Sequence, residues 1–384
     1  MYKNIITVIL SIIIGVILSY SIGVYYFYIN LDKERPYHLK DIDSLNFHKK
    51  YTSKLHHIKN PSKYVKIQDT LFTTLNSFKN KKNKILIQGD SWIATLTKYK
   101  KTNELFKKFA GDKNVGLINS GIGSYSPSLM NLQFDVLEKD FNILPNILVV
   151  YIDQSDLGDE ICRYKDKKVL NNDGKLVKIH EEKYSRNVFN YTKIHEESNI
   201  LISHNSNLKK SIQLLNFNLS YSFLKQKNKI IKKIYKIKKY GFKNRKLKND
   251  CSYSDIEKYL VDNNQEDILY FKKTITNYLD KISSKKYVKK ILIISFPHRA
   301  NLFPVKNMSG KIVEYKVNVS DIIDSILENY NNIDHLNFND EIKGKEKYFY
   351  DNAYIDFDPH LNEEFHRNFY AKPIIRKLEE YLNY

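Results

Sequence analysis

The sequence predicts an α/β fold, with three α/β/α layers around a central, mostly parallel sheet, plus an N-terminal transmembrane helix and a helical insertion. Short apolar runs of strand length recur along the chain, as is typical of strands buried in a parallel sheet. Segments of helical periodicity separate these runs, and such alternation of strand and helix is typical of α/β folds. A long uncharged segment precedes all of them.

The strands and helices of the predicted domain alternate in chain order. The predicted strands are Lys84–Gln88, Val115–Asn119, Ile147–Ile152, Val288–Phe296 and Ile333–Leu336. The predicted helices are Ile93–Phe109, Ser128–Leu137, Val319–Tyr330 and Glu363–Leu382. Turn-forming Gly, Ser, Pro and Asn residues cluster in several of the segments between them.

The N-terminus has the pattern of a membrane anchor. Residues 5–29 form a run of 25 residues without a formal charge, and a helix of that length, at about 1.5 Å per residue, exceeds a hydrocarbon core of roughly 30 Å. We predict an uncleaved single-pass anchor at residues 1–30, since the run is longer than the core of a typical signal peptide, which is the alternative. A short N-terminus with one lysine suits a signal anchor, so we expect the large domain to be extracytoplasmic.

The rest of the chain is predicted to form a stalk and one large domain. Residues 31–82 form a polar stalk or an N-terminal helical layer, and residues 83–384 form the α/β domain. Residues 161–285 are a polar, largely helical insertion in that domain. Within it, Lys225–Lys248 interleaves lysine with isoleucine, which is typical either of a solvated helix face or of a basic surface for an acidic glycan or lipid headgroups.

Composition excludes some classes of function. The formal net charge is +20, but the excess is lysine spread along the chain, and no nucleic-acid-binding motif accompanies it, so we expect no nucleic-acid partner. No Cys-x-x-Cys, His-Glu-x-x-His or glycine-rich phosphate loop is present, so we expect no metal and no cofactor. The two cysteines, Cys162 and Cys251, could pair in an oxidising compartment or remain buried thiols.

A Gly-Asp-Ser-Trp segment, Gly89–Trp92, directly follows the first strand. It holds the Ser91 hydroxyl at the carboxyl edge of the sheet, where the ligands of open α/β folds collect. The helix start behind it offers unpaired backbone N–H groups to an oxyanion. Ser91 is therefore the candidate nucleophile, Asp90 is expected to cap the helix, and Trp92 is expected to pack beside the site.

A serine nucleophile needs a base and a group that orients the base. His360 is the candidate base, because it lies in a proline-containing loop before the last predicted helix. Two carboxylates of this loop, Asp358 and Asp356, could reach its Nδ1 and fix its tautomer.

Four motif blocks, in this order, resemble those of the SGNH (GDSL-like) hydrolase superfamily. They are Gly89–Ser91, Asn119–Ser124, Asp153–Asp156 and Asp358–Asn362. The resemblance covers residues 84–160 and 287–384, and it implies a flavodoxin-like three-layer fold. It also implies that Ser91 is the nucleophile and donates its backbone N–H to the oxyanion, with a second backbone donor at Ser124 or Gly123.

Two blocks depart from the family pattern. The third usually supplies an asparagine side chain as another oxyanion donor, whereas here Ser155 occupies that place and Gln154 is the nearby amide. The last usually has an aspartate three residues before the histidine, but that position is Phe357. Asp358, two residues before His360, matches the Asp-x-His pair of SGNH-like polysaccharide O-acetyltransferases of the alginate type, and we prefer it over Asp356.

These observations predict a membrane-anchored serine esterase or O-acyltransferase acting on O-acetyl groups of a cell-envelope polysaccharide or another acylated carbohydrate. Its mechanism is acyl transfer through Ser91, and water or a sugar hydroxyl takes the acyl group. The sequence leaves open the choice between the two acceptors, the acyl chain, the sugar and the oligomeric state. The alternative is a non-catalytic protein that uses the same scaffold to bind an acidic envelope glycan.

Overall fold

The structure is a computed structural model that describes residues 2–31, 50–59, 67–78, 80–180, 193, 196–197, 199–240, 251–307, 310–356 and 358–383. The chain divides into two compact units. The first comprises Met1–Thr52, Asn60–Thr70 and Glu182–Lys248, and the second Ser53–Lys59, Leu71–Glu181 and Asn249–Tyr384. Parts of the predicted 31–82 layer, of the 161–285 insertion and of the Lys225–Lys248 run lie outside the described residues, as does Phe357.

The strands are β1 Thr73–Asn76, β2 Lys84–Gln88, β3 Gly116–Asn119, β4 Ile147–Tyr151, β5 Lys168–Leu170, β6 Leu176–Ile179, β7 Lys290–Ser295, β8 Val305–Lys306, β9 Ile312–Val313 and β10 Ile333–Asn337. The helices are α1 Tyr2–Ile29, α2 Ser91–Lys98, α3 Lys100–Asp112, α4 Pro127–Phe141, α5 Asn207–Tyr240, α6 Tyr253–Asp262, α7 Gln265–Ser283, α8 Val319–Leu327, α9 Glu346–Asn352 and α10 Lys372–Leu382. Shorter helical turns are Ile67–Thr70, Asp156–Gly158, Lys165–Lys167, Arg299–Leu302, Phe338–Glu341 and Glu363–Phe365, with π-helical turns at Asp159–Tyr164 and His366–Ala371.

The central sheet of the second unit has the strand order β1-β3-β2-β4-β7-β10. Strand β1 pairs antiparallel with β3, and every other pair in this sheet is parallel. Helices connect the parallel strands, because such a connection must cross from one end of the sheet to the other. The predicted α/β fold with a mostly parallel sheet is confirmed.

Helices cover both faces of this sheet. Successive strand residues point to opposite faces, and because the central strands are buried along their length, both faces need cover. On one face, Ile87, Val149 and Ile294 belong to a buried core shared with α2, α3 and α10. On the other face, Gln88 is buried and accepts a hydrogen bond from Tyr278 of α7 at 2.8 Å. Its amide donates to the carbonyl of Met130 in α4 at 3.1 Å.

The predicted elements differ from the structure mainly where helices are interrupted. The helix expected at Ile93–Phe109 is two helices, because Tyr99 adopts an extended conformation between α2 and α3. The helix expected at Glu363–Leu382 contains the π-helical turn His366–Ala371. The insertion predicted to be largely helical also contains the antiparallel hairpin β5–β6.

Helix α1 of the first unit is long and apolar enough to cross a membrane. Its segment Ile5–Ile29 has 25 residues and a mean hydropathy of 2.6, and its apolar stretch is not buried against the rest of the chain. Within the same unit, the Tyr20 hydroxyl donates to Asn216 of α5 at 2.9 Å. By length and composition α1 fits either a membrane anchor or a signal sequence.

Candidate active site

Most of the predicted site residues gather at the carboxyl edge of the sheet. Ser91 follows β2, Ser124 lies in the loop after β3, and Ser155 follows β4. His360 joins them from the loop after α9. These four residues line a cleft of about 240 Å³. Parallel strands bring the loops after them to one edge, which explains why residues distant in sequence meet here.

Two glycines let the chain pass close to the nucleophile. A Cβ on Gly89 would lie 2.5 Å from Ile93 Cγ1, and one on Gly121 would lie 2.6 Å from the Ala94 nitrogen. Neither position accepts a larger residue without movement of helix α2. Asp90 caps that helix, as predicted, by accepting a hydrogen bond from the Trp92 N–H at 2.9 Å.

We call Ser91, His360 and Asp358 the base side of the cleft. Ser91 Oγ lies 2.7 Å from His360 Nε2, although 269 residues separate them. The Asp358 carboxylate contacts His360 Nδ1 and also accepts from the His360 N–H at 2.9 Å. A carboxylate on Nδ1 keeps the hydrogen there and leaves Nε2 free to accept the serine proton. Asp356 is exposed and lines a neighbouring cleft instead.

The charges around His360 favour its protonated form. Burial by itself lowers the pKa of His360, but the hydrogen bond that its ring donates to Asp358 and the negative potential of Asp90, Asp358 and Asp153 outweigh it, so the pKa is raised above 6.5. A raised pKa makes the imidazole a stronger base for the serine proton.

Asp90 lies beside the nucleophile and affects its proton. Its Oδ2 is 3.1 Å from Ser91 Oγ. Burial, and then the Asp153 charge, raise the pKa of Asp90 well above its ordinary value. The Ser91 hydroxyl donates to this carboxyl group in the structure, and His360 Nε2, 2.7 Å from Ser91 Oγ, is the second group within reach of the serine hydrogen.

We call Gly123 and Ser124, with the residues that hold them, the oxyanion side. A Cβ on Gly123 would lie 3.8 Å from the Ser91 Cβ, so this loop borders the nucleophile. Ser124 adopts a left-handed conformation, with φ of 62°. Among the described residues, no main-chain or side-chain oxygen accepts a hydrogen bond from the N–H of Ser91, Gly123 or Ser124. These N–H groups are available to an oxyanion.

Histidine and tyrosine side chains hold the loop by its carbonyl oxygens. His57 Nε2 lies 2.9 Å from the Gly123 oxygen, and the Tyr164 hydroxyl donates to the Ser124 oxygen. A carbonyl can only accept, so His57 carries its hydrogen on Nε2. Burial lowers the pKa of His57 to about 4 despite this bond, so at neutral pH its Nδ1 can accept from His56 Nδ1, 2.9 Å away.

The expected third oxyanion donor is not found where the sequence predicted it. The Gln154 side chain is buried away from the cleft, where its Oε1 accepts from the Val319 N–H at 3.0 Å at the start of α8. Ser155 lines the cleft, but its hydroxyl donates to Asp153. The amide oxygen of Gln154 therefore accepts one of the free N–H groups at the start of α8, and an oxyanion role for Gln154 stays a prediction.

Asp153 is the most heavily hydrogen-bonded carboxylate of the cleft. It accepts from His298 Nε2 at 2.7 Å, from the Tyr151 hydroxyl at 3.0 Å and from the Ser155 N–H at 2.9 Å. Burial would raise the pKa of Asp153, but His298 and Ser155 outweigh it and hold the pKa at about 2. The carboxylate is therefore charged at neutral pH and contributes to the raised pKa of His360.

One wall of the cleft comes from segments to which the sequence assigned no catalytic role. Arg163 and Asp159 lie in one π-helical turn, with Nε and Oδ1 separated by 2.5 Å. Burial raises the pKa of Asp159 to about 7 despite the adjacent guanidinium. Tyr253 and Ile256 of α6 line the same cleft.

A disulfide bond joins these two parts of the wall. Cys162 lies in the π-helical turn, Cys251 shortly precedes α6, and their sulfurs are bonded. The cysteines are therefore paired, one of the two states that the sequence left open.

Trp92 is buried, as expected, and stacks on His298 at 5.8 Å between ring centroids, yet it also lines the cleft.

The described residues contain no group of three or more His, Cys, Asp or Glu side chains that could hold a metal ion.

No protein-family model matches the chain, and no curated protein matches its sequence. Among solved structures, the chain is similar to an acetyl xylan esterase, Est2A, from the rumen bacterium Butyrivibrio proteoclasticus, with 12% identity and a TM-score of 0.33. The match covers 79% of this chain and spans 64% of that protein's length.

Proposed function

We propose that the chain is an SGNH-type serine esterase or O-acyltransferase that acts on O-acetyl groups of a cell-envelope polysaccharide. The observation that carries the proposal is the contact of Ser91 Oγ with His360 Nε2 at 2.7 Å, with Asp358 on the opposite ring nitrogen. Acyl transfer by serine requires a nucleophile in contact with a base, and a base whose other ring nitrogen contacts an orienting acid.

The proposed reaction proceeds in two halves. His360 Nε2 takes the proton of Ser91 while Oγ attacks the ester carbonyl, and the N–H groups of Ser91, Gly123 and Ser124 stabilise the oxyanion. The intermediate collapses as the C–O bond breaks, and the leaving alcohol receives the proton from His360. Water or a sugar hydroxyl then attacks the acyl-enzyme with His360 as base, which restores Ser91.

Two observations support an envelope location. Helix α1 has the length and composition of a membrane anchor. The disulfide between Cys162 and Cys251 is typical of proteins in oxidising compartments such as the bacterial periplasm or cell surface. We therefore propose that α1 is an anchor and that the second unit is extracytoplasmic.

Active-site labelling tests the enzymatic proposal. The full chain in detergent is treated with a fluorescent serine-directed organophosphonate and assayed for acetate release from 4-nitrophenyl acetate, beside Ser91→Ala. We expect labelling at Ser91 and a loss of activity by at least about 10³-fold in the variant. Absence of labelling in the wild-type chain would overturn the proposal. Acetate turnover that depends on an added sugar acceptor would identify a transferase.

A second candidate function is non-catalytic binding of an acidic glycan. The observation that favours it is the placement of Gln154 and Ser155, which leaves the oxyanion side without the expected side-chain donor. Under this proposal the wild-type chain is not labelled by the organophosphonate, yet it binds an acidic polysaccharide. Labelling at Ser91 with ester turnover argues against it.

A further inference from the structure

A second cleft, of about 360 Å³, lies beside the catalytic one. The two clefts share three lining residues, Tyr253, Asp358 and Pro359. A hydrogen bond also connects the two linings, because His298 lines the second cleft and donates to Asp153, which lines the first. Ligand pockets are generally about 300–1,000 Å³, so the catalytic cleft alone is small for a sugar ester and the second cleft offers the missing room.

The lining of the second cleft disfavours an acyl chain and an anion. A long acyl chain needs a largely apolar wall, whereas five charged side chains interrupt the apolar parts of this lining. An anion needs an excess of positive charge, and here two cations face three carboxylates. These charged groups are Arg299, Lys306, Glu257, Asp356 and Asp358.

The same lining suits neutral hydroxyl groups. A hydroxyl both donates and accepts, so it is best recognised where donors and acceptors alternate. Glu257 is fixed as an acceptor group, because Asn307 Nδ2 donates to it at 2.9 Å and the Tyr315 hydroxyl at 3.0 Å. Lys306, which is exposed on β8, supplies donors, and exposed Asp356 supplies acceptors.

Arg299 gives an independent indication of a ligand. Its Nε is buried and has no hydrogen-bond partner among the described residues, which is costly unless something supplies an acceptor. The guanidinium carbon lies 4.5 Å from the Tyr350 ring centroid, so that ring face is covered. Because Arg299 lines this cleft, a small shift of its side chain would bring that N–H to a ligand oxygen.

We propose that the second cleft binds a neutral sugar ring, which carries the ester group or the accepting hydroxyl. This inference rests on the proposed function and adds its substrate class. It assigns different tasks to two neighbouring carboxylates: Asp358 orients His360, and Asp356 binds sugar hydroxyls. The acyl group occupies the smaller cleft beside Ser91.

Two measurements on the full chain in detergent test this subsite. The first is saturation-transfer NMR with methyl glucoside, galactoside and mannoside and with methyl glucuronide, which needs no turnover. The second compares kcat/KM for the mono-O-acetylated forms of these glycosides, for 4-nitrophenyl acetate and for 4-nitrophenyl octanoate. The variants are Lys306→Ala and Asp356→Ala, and the matched control is Lys175→Ala, which removes an exposed lysine in the turn between β5 and β6.

We expect at least one neutral glycoside to bind, and its acetyl ester to be preferred over 4-nitrophenyl acetate. In each cleft variant this preference should fall by roughly ten- to a hundredfold, the range for a lost hydrogen bond to a charged group, and Lys175→Ala should keep it. A preference for the glucuronide or the octanoate, or a sugar preference unchanged in both variants, would overturn the inference. If no ester reacts, the proposed function fails, while glycoside binding that is lost in both variants would still support the subsite.

Discussion

On the base side of the cleft, Ser91, His360 and Asp358 contact one another through their own side chains. On the oxyanion side, the backbone groups of Gly123 and Ser124 are oriented indirectly, by side chains that bind their carbonyl oxygens. The base side therefore depends on three residues that the motifs reveal, whereas the oxyanion side depends on packing against residues far from the motifs. The two sides should respond differently to mutation.

The largest effect is expected on the base side, from Asp358→Asn. The variant replaces the acceptor on His360 Nδ1, so the imidazole loses the tautomer that leaves Nε2 free, and kcat should fall by about 10³–10⁴-fold. The base must be neutral to act, and the folded pKa of His360 is raised, so wild-type kcat/KM should rise with pH through a midpoint above the ordinary value near 6.5. Removing the carboxylate should move this midpoint to lower pH.

Asp356→Asn is the comparison for that experiment. Because the Asp356 carboxylate lines the second cleft instead of contacting His360, the midpoint of its pH profile should match that of the wild type. If Asp358→Asn kept a tenth of the wild-type kcat, Asp358 would not be the orienting acid. If only Asp356→Asn shifted the pH profile, the role would belong to Asp356.

The next largest effect concerns the wall of the oxyanion side. Cys162 and Cys251 close a loop across a sequence separation of 89 residues, and replacing both by serine should reduce the free energy of unfolding by about 2–5 kcal/mol. Tyr164, which holds Ser124, follows Cys162 by two residues, so activity should fall as well. Thermal unfolding with and without reductant measures the first effect, and the reduced wild-type chain should match the double variant. Equal stability of oxidised and reduced chains would contradict this prediction.

His57 offers a smaller and more specific test of the oxyanion side. In His57→Ala the Gly123 carbonyl loses its donor, and kcat for 4-nitrophenyl acetate should fall by roughly tenfold or more, consistent with a net hydrogen-bond contribution near 1–1.5 kcal/mol. Gln is the matched variant, because its amide can place a donor near the position of Nε2. His57→Gln should restore much of kcat with an unchanged pH midpoint. Equal losses in both variants would assign His57 a packing role only.

The difference between the two sides also explains what the sequence could predict. The apolar runs of β2 and β4 and the motif residues Ser91 and His360 carry local signals, and both residues lie at one edge of the sheet. His57 carries no such signal, because it lies in a segment without clear periodicity and acts on a residue 66 positions later. Gln154 is an amide at the expected place, but packing against the start of α8 determines its direction.

Ser155 gives the smallest expected effect and the sharpest comparison between the two sides. If its hydroxyl were the missing oxyanion donor, Ser155→Ala would lower kcat by about 10²–10³-fold. In the structure that hydroxyl donates to Asp153, which also accepts from His298 and Tyr151, so we expect a loss of less than about tenfold. The control is Ser155→Thr, which keeps the hydroxyl. A hundredfold loss in Ser155→Ala with full activity in Ser155→Thr would show that the hydroxyl turns to the oxyanion during the reaction, and that the oxyanion side also uses a side chain from the third block.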